Sequence, residues 1–131
     1  MKIILSIKPE FASKIFDGSK KFEFRRSLFK NKDVKSVIVY ASAPISKVIG
    51  EFDIDVVIKD NIYNLWKETS KYAGISKEYY LQYFNGKQEG FAIKVKNPKK
   101  YNDYLCIVEE FGMNPPQSFA YIKSTKAQQC V

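Results

Sequence analysis

Residues 18–26 read GSKKFEFRR, and this stretch says most about the fold. A glycine and two lysines precede two phenylalanines that alternate with a glutamate and an arginine. Alternation with period two predicts a β-strand over residues 20–26, with Phe22 and Phe24 facing the core. The opposite face of this strand is then expected to carry Lys21, Glu23 and Arg25.

Those charges can form a binding site for a base or a phosphate. A glutamate flanked by cations stays ionised and can accept from an amine or a ring N–H, while a lysine or arginine binds a carbonyl oxygen or a phosphate. Such a group can recognise a nucleobase edge, or place an amine beside a carboxylate for proton transfer. The pattern leaves open a structural alternative, a cross-strand ladder of ion pairs.

The segments on either side complete the pattern of a small mixed fold. Residues 2–8 alternate as a strand, and a helix is expected to begin at Pro9 and to end at Gly18. Further strands are predicted over 35–42, 46–58 and 90–97.

Two helical segments are expected between the last two of these strands. The first covers residues 62–69, and the second contains four aromatic residues at 79, 80, 83 and 84 that either stack on bases or belong to the core. A short helix over 103–112 and a proline-fixed turn then lead into a last strand. The expected fold class is α+β, one domain over residues 1–131, with a mixed sheet curling toward a small barrel, an N-terminal helix and a helical insertion.

Charge points to polyanionic partners. The 131-residue chain has a formal net charge of +8. Residues 1–50 contain eleven Lys and Arg residues against four Asp and Glu residues, so most of the excess lies around the opening stretch. A charge excess of this kind favours nucleic acid.

Composition excludes several classes of chemistry. The chain has no histidine, which removes Ser-His-Asp and Cys-His catalysis and ordinary zinc sites, and Cys106 and Cys130 have no metal-ligand spacing. Glu51, Asp53 and Asp55 lie on one outward strand face, which is typical of a solvated surface, so we expect no metal and no cofactor. No apolar run approaches the roughly 20 residues that cross a bilayer. We therefore predict a cytoplasmic protein without a membrane partner.

The motif Gly18-x-Lys20-x-x-Glu23-x-Arg25 resembles the G-x-K-x-x-E-x-R signature of ASCH domains. Other segments of this chain are similar to that family and extend the resemblance over most of its length: LSIKPEFASKIFDG at 5–18, YAS-x-P at 40–44, VIGEF at 48–52 and PPQSF at 115–119.

The resemblance implies a PUA-like β-barrel that binds RNA or a nucleotide in a cleft lined by the signature strand. One branch of the family is similar to amidohydrolases that act on N4-acetylcytidine, with a lysine matched by Lys20 and a threonine where this chain has Glu23. Other members are ribonucleases.

We therefore predict an RNA- or nucleotide-binding module whose basic cleft is bordered by residues 40–44 and 115–119. As an alternative, an enzyme would use Lys20 as base or nucleophile, once desolvation lowers its pKa, and Glu23 as a proton relay. The predicted ligand-binding residues are Lys8, Lys20, Glu23, Arg25, Arg26, Ser42, Gln117 and Ser118.

Overall fold

The fold is α+β, as predicted, in the computed structural model, which describes residues 1–122. Predictions for residues 123–131, including Cys130 and the end of the domain, lie outside the described residues. The strands are β1 (Lys2–Ile7), β2 (Phe22–Arg25), β3 (Ser36–Ala41), β4 (Lys47–Asn61), β5 (Glu89–Leu105) and β6 (Phe119–Ile122). The helices are α1 (Pro9–Asp17), α2 (Ile62–Thr69), α3 (Lys77–Tyr83) and α4 (Ile107–Phe111), with a 3-10 turn at Ser70–Tyr72.

The six strands form one mixed sheet in the order β2-β5-β4-β3-β1-β6. Strands β1 and β3 are parallel, and the other neighbouring pairs are antiparallel. Among the described residues the sheet is open, with β2 and β6 as its edges, so the predicted barrel is not closed by backbone pairing. The sheet nevertheless curls. Strand β2 is at one edge and β1 is next to the other, yet Nη2 of Arg25 on β2 lies 3.1 Å from the backbone oxygen of Ser6 on β1. Side-chain contacts, rather than a ladder of strands, connect the two sides.

Helix α1 begins and ends where the sequence predicts. Lys8 is extended at the N-cap and Pro9 occupies the first helical position, where a missing amide costs nothing. Gly18 has a φ of +88° and donates its N–H to Ile15, closing the helix in the left-handed conformation that glycine allows. The following backbone N–H of Lys20 donates to the oxygen of Lys14 at 3.0 Å. This turn places Lys20 beside β2.

Strand β4 does not keep the predicted alternation of inward and outward residues along its whole length. Pairing with β5 shifts register between Ile54 and Val57. The extra residue of a bulge reverses the faces that follow it. Strict alternation would place Val56 on the same face as Ile54. Instead, Val56 is 47% exposed, and Val57 packs against the core.

Strand β5 is longer than predicted. It continues to Leu105 through Asn97, which has a φ of +52°. The predicted helix over 103–112 is consequently shortened to α4. Pairing with the long partner strand β4 holds these polar residues in the sheet, where their sequence pattern alone does not place them.

The helical insertion packs on the strand that carries the signature. Leu65, Tyr80 and Phe84 are at most 2% exposed and contact Phe22 and Phe24 in one apolar cluster. Burying each large apolar side chain contributes about 1.5–3 kcal/mol. The cluster therefore fixes α3 against β2. Within residues 1–122, no helix is both long and apolar enough to cross a membrane.

Candidate functional site

A cavity of about 170 Å³ lies where β2, the end of β1, the start of α1 and helix α3 meet. Its polar lining comes from Ser6, Lys8, Lys20, Glu23 and Arg25. Its apolar and aromatic lining comes from Ile7, Phe11, Phe24, Ile75, Tyr79 and Tyr83. The charged residues of the signature therefore share one partly open site with an aromatic wall.

Lys20 is a buried cation at this site. It is 2% exposed, and its Nζ donates to the backbone oxygen of Ala73 at 2.6 Å. The same Nζ lies 5.5 Å from the ring centre of Phe11 and 5.0 Å from that of Phe24. Burial lowers the pKa of Lys20 to about 8, and the nearby Glu23 carboxylate opposes that effect. At neutral pH this lysine is mostly an ammonium, with a minor neutral fraction.

Glu23 is the buried anion beside it. The residue is 7% exposed, and its Oε2 lies 3.2 Å from Nη2 of Arg25. A buried carboxylate requires such a partner, because desolvation of an isolated charge costs several kcal/mol. Within residues 1–122 this ion pair uses only Oε2, so the other carboxylate oxygen has no protein partner there, and Glu23 also lines the cavity.

Arg25 connects the two sides of the curled sheet. Its Nη1 lies 3.2 Å from the Oγ of Ser118, in addition to its contacts with Ser6 and Glu23. Its Nε is buried and has no hydrogen-bond partner among residues 1–122. A buried donor without a partner costs about 1–3 kcal/mol, and such groups are few in native structures.

Tyr79 and Tyr83 form the aromatic wall from one face of α3. Phe11 contacts Tyr79 edge-on at 5.1 Å between ring centres, and Nζ of Lys8 lies 5.3 Å from the centre of the same ring. The hydroxyl of Tyr83 donates to the backbone oxygen of Phe24 at 3.2 Å, and burial raises the pKa of Tyr83. Tyr80 and Phe84 lie on the other face of this helical segment and are buried in the core.

The structure divides the predicted site residues into two groups. Lys8, Lys20, Glu23 and Arg25 line the cavity, and Ser118 contacts it through Arg25. The others do not line it, namely Arg26, Ser42 and Gln117. Arg26 instead donates to the backbone oxygens of Tyr83 and Asn85, at 2.7 and 3.0 Å, which ties β2 to the end of α3.

Only one of the two segments predicted to border the cleft lies close to the cavity. The segment 115–119 approaches the site, because the Ser6 hydroxyl donates to the oxygen of Pro116 at 2.6 Å. The segment 40–44 contributes no lining residue, although the N–H of Ser42 bonds to the oxygen of Ile7 at 3.0 Å. Lys21 also departs from the prediction, since it is exposed and its Nζ lies 4.3 Å from the ring centre of Tyr72.

The three acidic residues of β4 are bound to protein donors. Glu51 accepts from Tyr101 at 2.7 Å and pairs with Lys2 at 3.4 Å. Hydrogen bonds from Asn97 and Ser36 lower the pKa of Asp53. Asp55 lies 3.7 Å from Lys94. These contacts account for the carboxylates as part of a polar sheet surface.

The cavity combines features suited to one flat polar ligand. An ammonium and a guanidinium supply donors, a carboxylate supplies an acceptor, and aromatic rings supply a stacking surface. At about 170 Å³ the cavity is smaller than the roughly 300–1,000 Å³ of sites for drug-sized molecules. A single ring system with both donors and acceptors on its edge matches this lining.

A family model and two matches from Zymomonas mobilis point to one family. A family model, the ASCH domain, matches residues 5–111. An ASCH domain-containing ribonuclease from Zymomonas mobilis is 28% identical over 131 residues, which cover 98% of this chain and 88% of that protein. A crystal structure of ASCH from Zymomonas mobilis has a TM-score of 0.89 at 25% identity, covering 98% of this chain and 92% of that chain.

A further relative is a larger protein. The large ribosomal subunit protein uL22 of Ureaplasma parvum serovar 3 is 34% identical over 122 residues, 92% of this chain. The match spans 39% of that protein's length, so the chain corresponds to less than half of it.

Proposed function

This chain belongs to the ASCH domain family, and from that premise we propose that it binds RNA by holding one unpaired nucleobase in the cavity beside β2. The observation that carries the proposal is the cavity that Lys20, Glu23 and Arg25 line together with the rings of Tyr79 and Tyr83. Sequence-specific proteins recognise RNA mainly at unpaired bases, which stack on aromatic side chains and form hydrogen bonds along their edges.

Each side chain has a distinct role in this proposal. The free carboxylate oxygen of Glu23 accepts from an exocyclic amine or a ring N–H of the base. Lys20 donates to a carbonyl oxygen or a ring nitrogen, and the guanidinium of Arg25, which also lines the cavity, supplies a further donor. Tyr79 stacks on the face of the base, where such contacts are worth about 1–3 kcal/mol.

RNA cleavage is a second candidate function, and the state of Lys20 favours it. A buried amine with a pKa of about 8 has a neutral fraction that can act as a general base near neutral pH. The relative from Zymomonas mobilis is named a ribonuclease. The amidohydrolase alternative gains no support, because Glu23 stands where those enzymes have a threonine.

The cleavage step can be written with these groups alone. Neutral Lys20 takes the proton of a ribose 2′-hydroxyl, and that oxygen attacks the adjacent phosphorus. The bond from phosphorus to the 5′-oxygen breaks, the leaving oxygen takes a proton from solvent, and a 2′,3′-cyclic phosphate remains. No metal takes part in this proposal.

One experiment separates the two functions. The protein is titrated with the free nucleosides and then incubated with single-stranded RNA in a chelating buffer, with Lys20→Met as the comparison. Chemical-shift changes at the cavity without cleaved RNA identify a binding module, and cyclic-phosphate products that disappear in Lys20→Met identify a nuclease. Absence of both nucleoside binding and cleavage would refute the proposal.

A further inference from the structure

Four lysine side chains converge on the turn formed by residues 72–74. Nζ of Lys20 bonds to the oxygen of Ala73 at 2.6 Å, and Nζ of Lys14 bonds to the oxygen of Gly74 at 3.3 Å. Nζ of Lys21 and of Lys71 lie 4.3 and 5.5 Å from the ring centre of Tyr72. We call Lys14, Lys21, Lys71 and the turn 72–74 the lysine platform.

No lysine of this platform forms an ion pair within residues 1–122, although Lys14 interacts with the carboxylate of Asp17 at longer range. The ion pairs of the described residues involve Lys2, Arg25, Lys59 and Lys94, and none involves a lysine of the platform. Like charges brought together without counter-charges repel one another and lower stability. Backbone oxygens and an aromatic ring hold the ammonium groups in this arrangement, which leaves them free to bind an anion.

The platform adjoins the cavity. Lys20 lines the cavity and bonds to the turn, and Ile75, the residue after Gly74, also lines the cavity. The backbone N–H of Lys21 donates to the oxygen of Tyr72 at 2.8 Å, so the turn is fixed to the residue that precedes β2. An anion on the platform would therefore lie next to a ligand in the cavity.

We propose that the lysine platform binds the RNA phosphodiester next to the base held in the cavity, an inference that rests on the proposed RNA binding. Lys14, Lys21 and Lys71 are exposed, so they can turn toward a phosphate without breaking a buried contact. The contacts of Lys21 and Lys71 with Tyr72 are exposed cation–π interactions, which are worth only about 0.5–1 kcal/mol each. A phosphate that accepts from two or more ammonium groups outweighs these interactions.

The test compares two triple variants that remove the same charge. The first is Lys14→Gln, Lys21→Gln and Lys71→Gln together. The control is Lys96→Gln, Lys99→Gln and Lys100→Gln together, three exposed lysines on β5 that do not line the cavity. Binding of an eight-nucleotide single-stranded RNA of mixed sequence is measured over a series of salt concentrations, and binding of free nucleosides is measured in parallel.

We expect the platform variant to bind the RNA at least tenfold more weakly than the control variant at low salt. When the logarithm of RNA affinity is plotted against the logarithm of salt concentration, the slope for the platform variant should be less steep by about 0.7 for each phosphate that it no longer neutralises. Free nucleosides should bind both variants as they bind the wild type, because the cavity is unchanged, and this result also shows that each variant is folded.

The outcomes keep the two proposals apart. Equal RNA binding by the two triple variants, with nucleoside binding retained, overturns the platform and leaves base binding in the cavity intact. Loss of nucleoside binding in the platform variant alone, with an unchanged melting curve, also overturns the platform as a separate phosphate site. Failure of the wild type to bind any nucleoside refutes the proposed function itself.

Discussion

Gly74 leaves no room for a side chain against Lys20. A Cβ atom at Gly74 would lie 2.5 Å from the Cβ and Cγ atoms of the lysine and 2.8 Å from its Cδ. Gly74 also has a φ of +69°, in the left-handed region that favours glycine. The turn therefore sets the path of the Lys20 side chain as well as accepting its hydrogen bond.

Gly74→Ala should consequently displace Lys20 and weaken nucleoside binding by tenfold or more. Gly112→Ala is the matched control, because Gly112 has a φ of +64° and a Cβ atom there meets nothing within 4 Å. Each substitution should cost roughly 1–2 kcal/mol of stability through the left-handed backbone. Nucleoside titrations of both variants separate the two effects, and equal nucleoside affinities would show that the contact with Lys20 has no functional role.

The charge of Lys20 should make base binding depend on pH. With a pKa of about 8, the ammonium loses its proton as pH rises from 7 to 9. Specific nucleoside binding should fall about tenfold at pH 9, since one pKa unit corresponds to a factor of ten. Titrations of the wild type and Lys20→Met over this range test the prediction, and a pH dependence that persists in Lys20→Met would assign it to another group.

The same pKa has a consequence for stability and for catalysis. Because burial lowers the pKa of Lys20 from 10.5 to about 8, the unfolded chain binds more protons between those values. The contribution of this residue to the free energy of unfolding should therefore increase as pH rises from 8 to 10.5.

The rate of RNA cleavage by neutral Lys20 should also increase as pH rises through 8. This pH dependence is opposite in sign to that of nucleoside binding by the Lys20 ammonium. Denaturant unfolding and cleavage rates of the wild type and Lys20→Met, measured across this pH range, check both expectations.

Tyr79 should contribute through its ring rather than its hydroxyl. Tyr79→Ala should weaken nucleoside binding by roughly five- to 150-fold, which corresponds to a stacking energy of about 1–3 kcal/mol. Tyr79→Phe keeps the ring and should bind nearly as well as the wild type. Tyr63→Ala provides the control, because Tyr63 is 74% exposed and does not line the cavity. If Tyr79→Ala binds like that control, stacking on this ring is ruled out.

Local sequence rules predict the parts of this fold that local forces determine. Alternation places Ile3, Leu5 and Ile7 on one face of β1, and all three are at most 3% exposed. Proline and glycine preferences give both ends of α1. The course of β4 after Ile54 could not be predicted, because the bulge depends on pairing with β5 and not on the sequence of β4 itself.

The site shows the same division. The signature predicts that Lys20, Glu23 and Arg25 come together, and they do line one cavity. Strand alternation predicts that Lys21 lies beside Glu23, but Lys21 does not line the cavity. Lys20, which precedes β2, lines it instead, because the turn after α1 directs its side chain there. Helical spacing predicts two aromatic faces on this segment, Tyr79 with Tyr83 and Tyr80 with Phe84. It does not predict which face lines the cavity, because that depends on how α3 packs on β2.

Glu23→Gln tests the central claim most directly, because it keeps the volume of the side chain and removes its charge. Nucleoside affinity, affinity for mixed-sequence RNA at low salt, and the melting temperature are measured on the same protein. A charge-assisted hydrogen bond is worth about 1.5–3 kcal/mol. Nucleoside binding should therefore weaken about ten- to a hundredfold, while non-specific RNA affinity holds or rises because the net charge increases by one. A lower melting temperature with unchanged nucleoside affinity would contradict the account, because Glu23 would then serve only as the structural partner of Arg25.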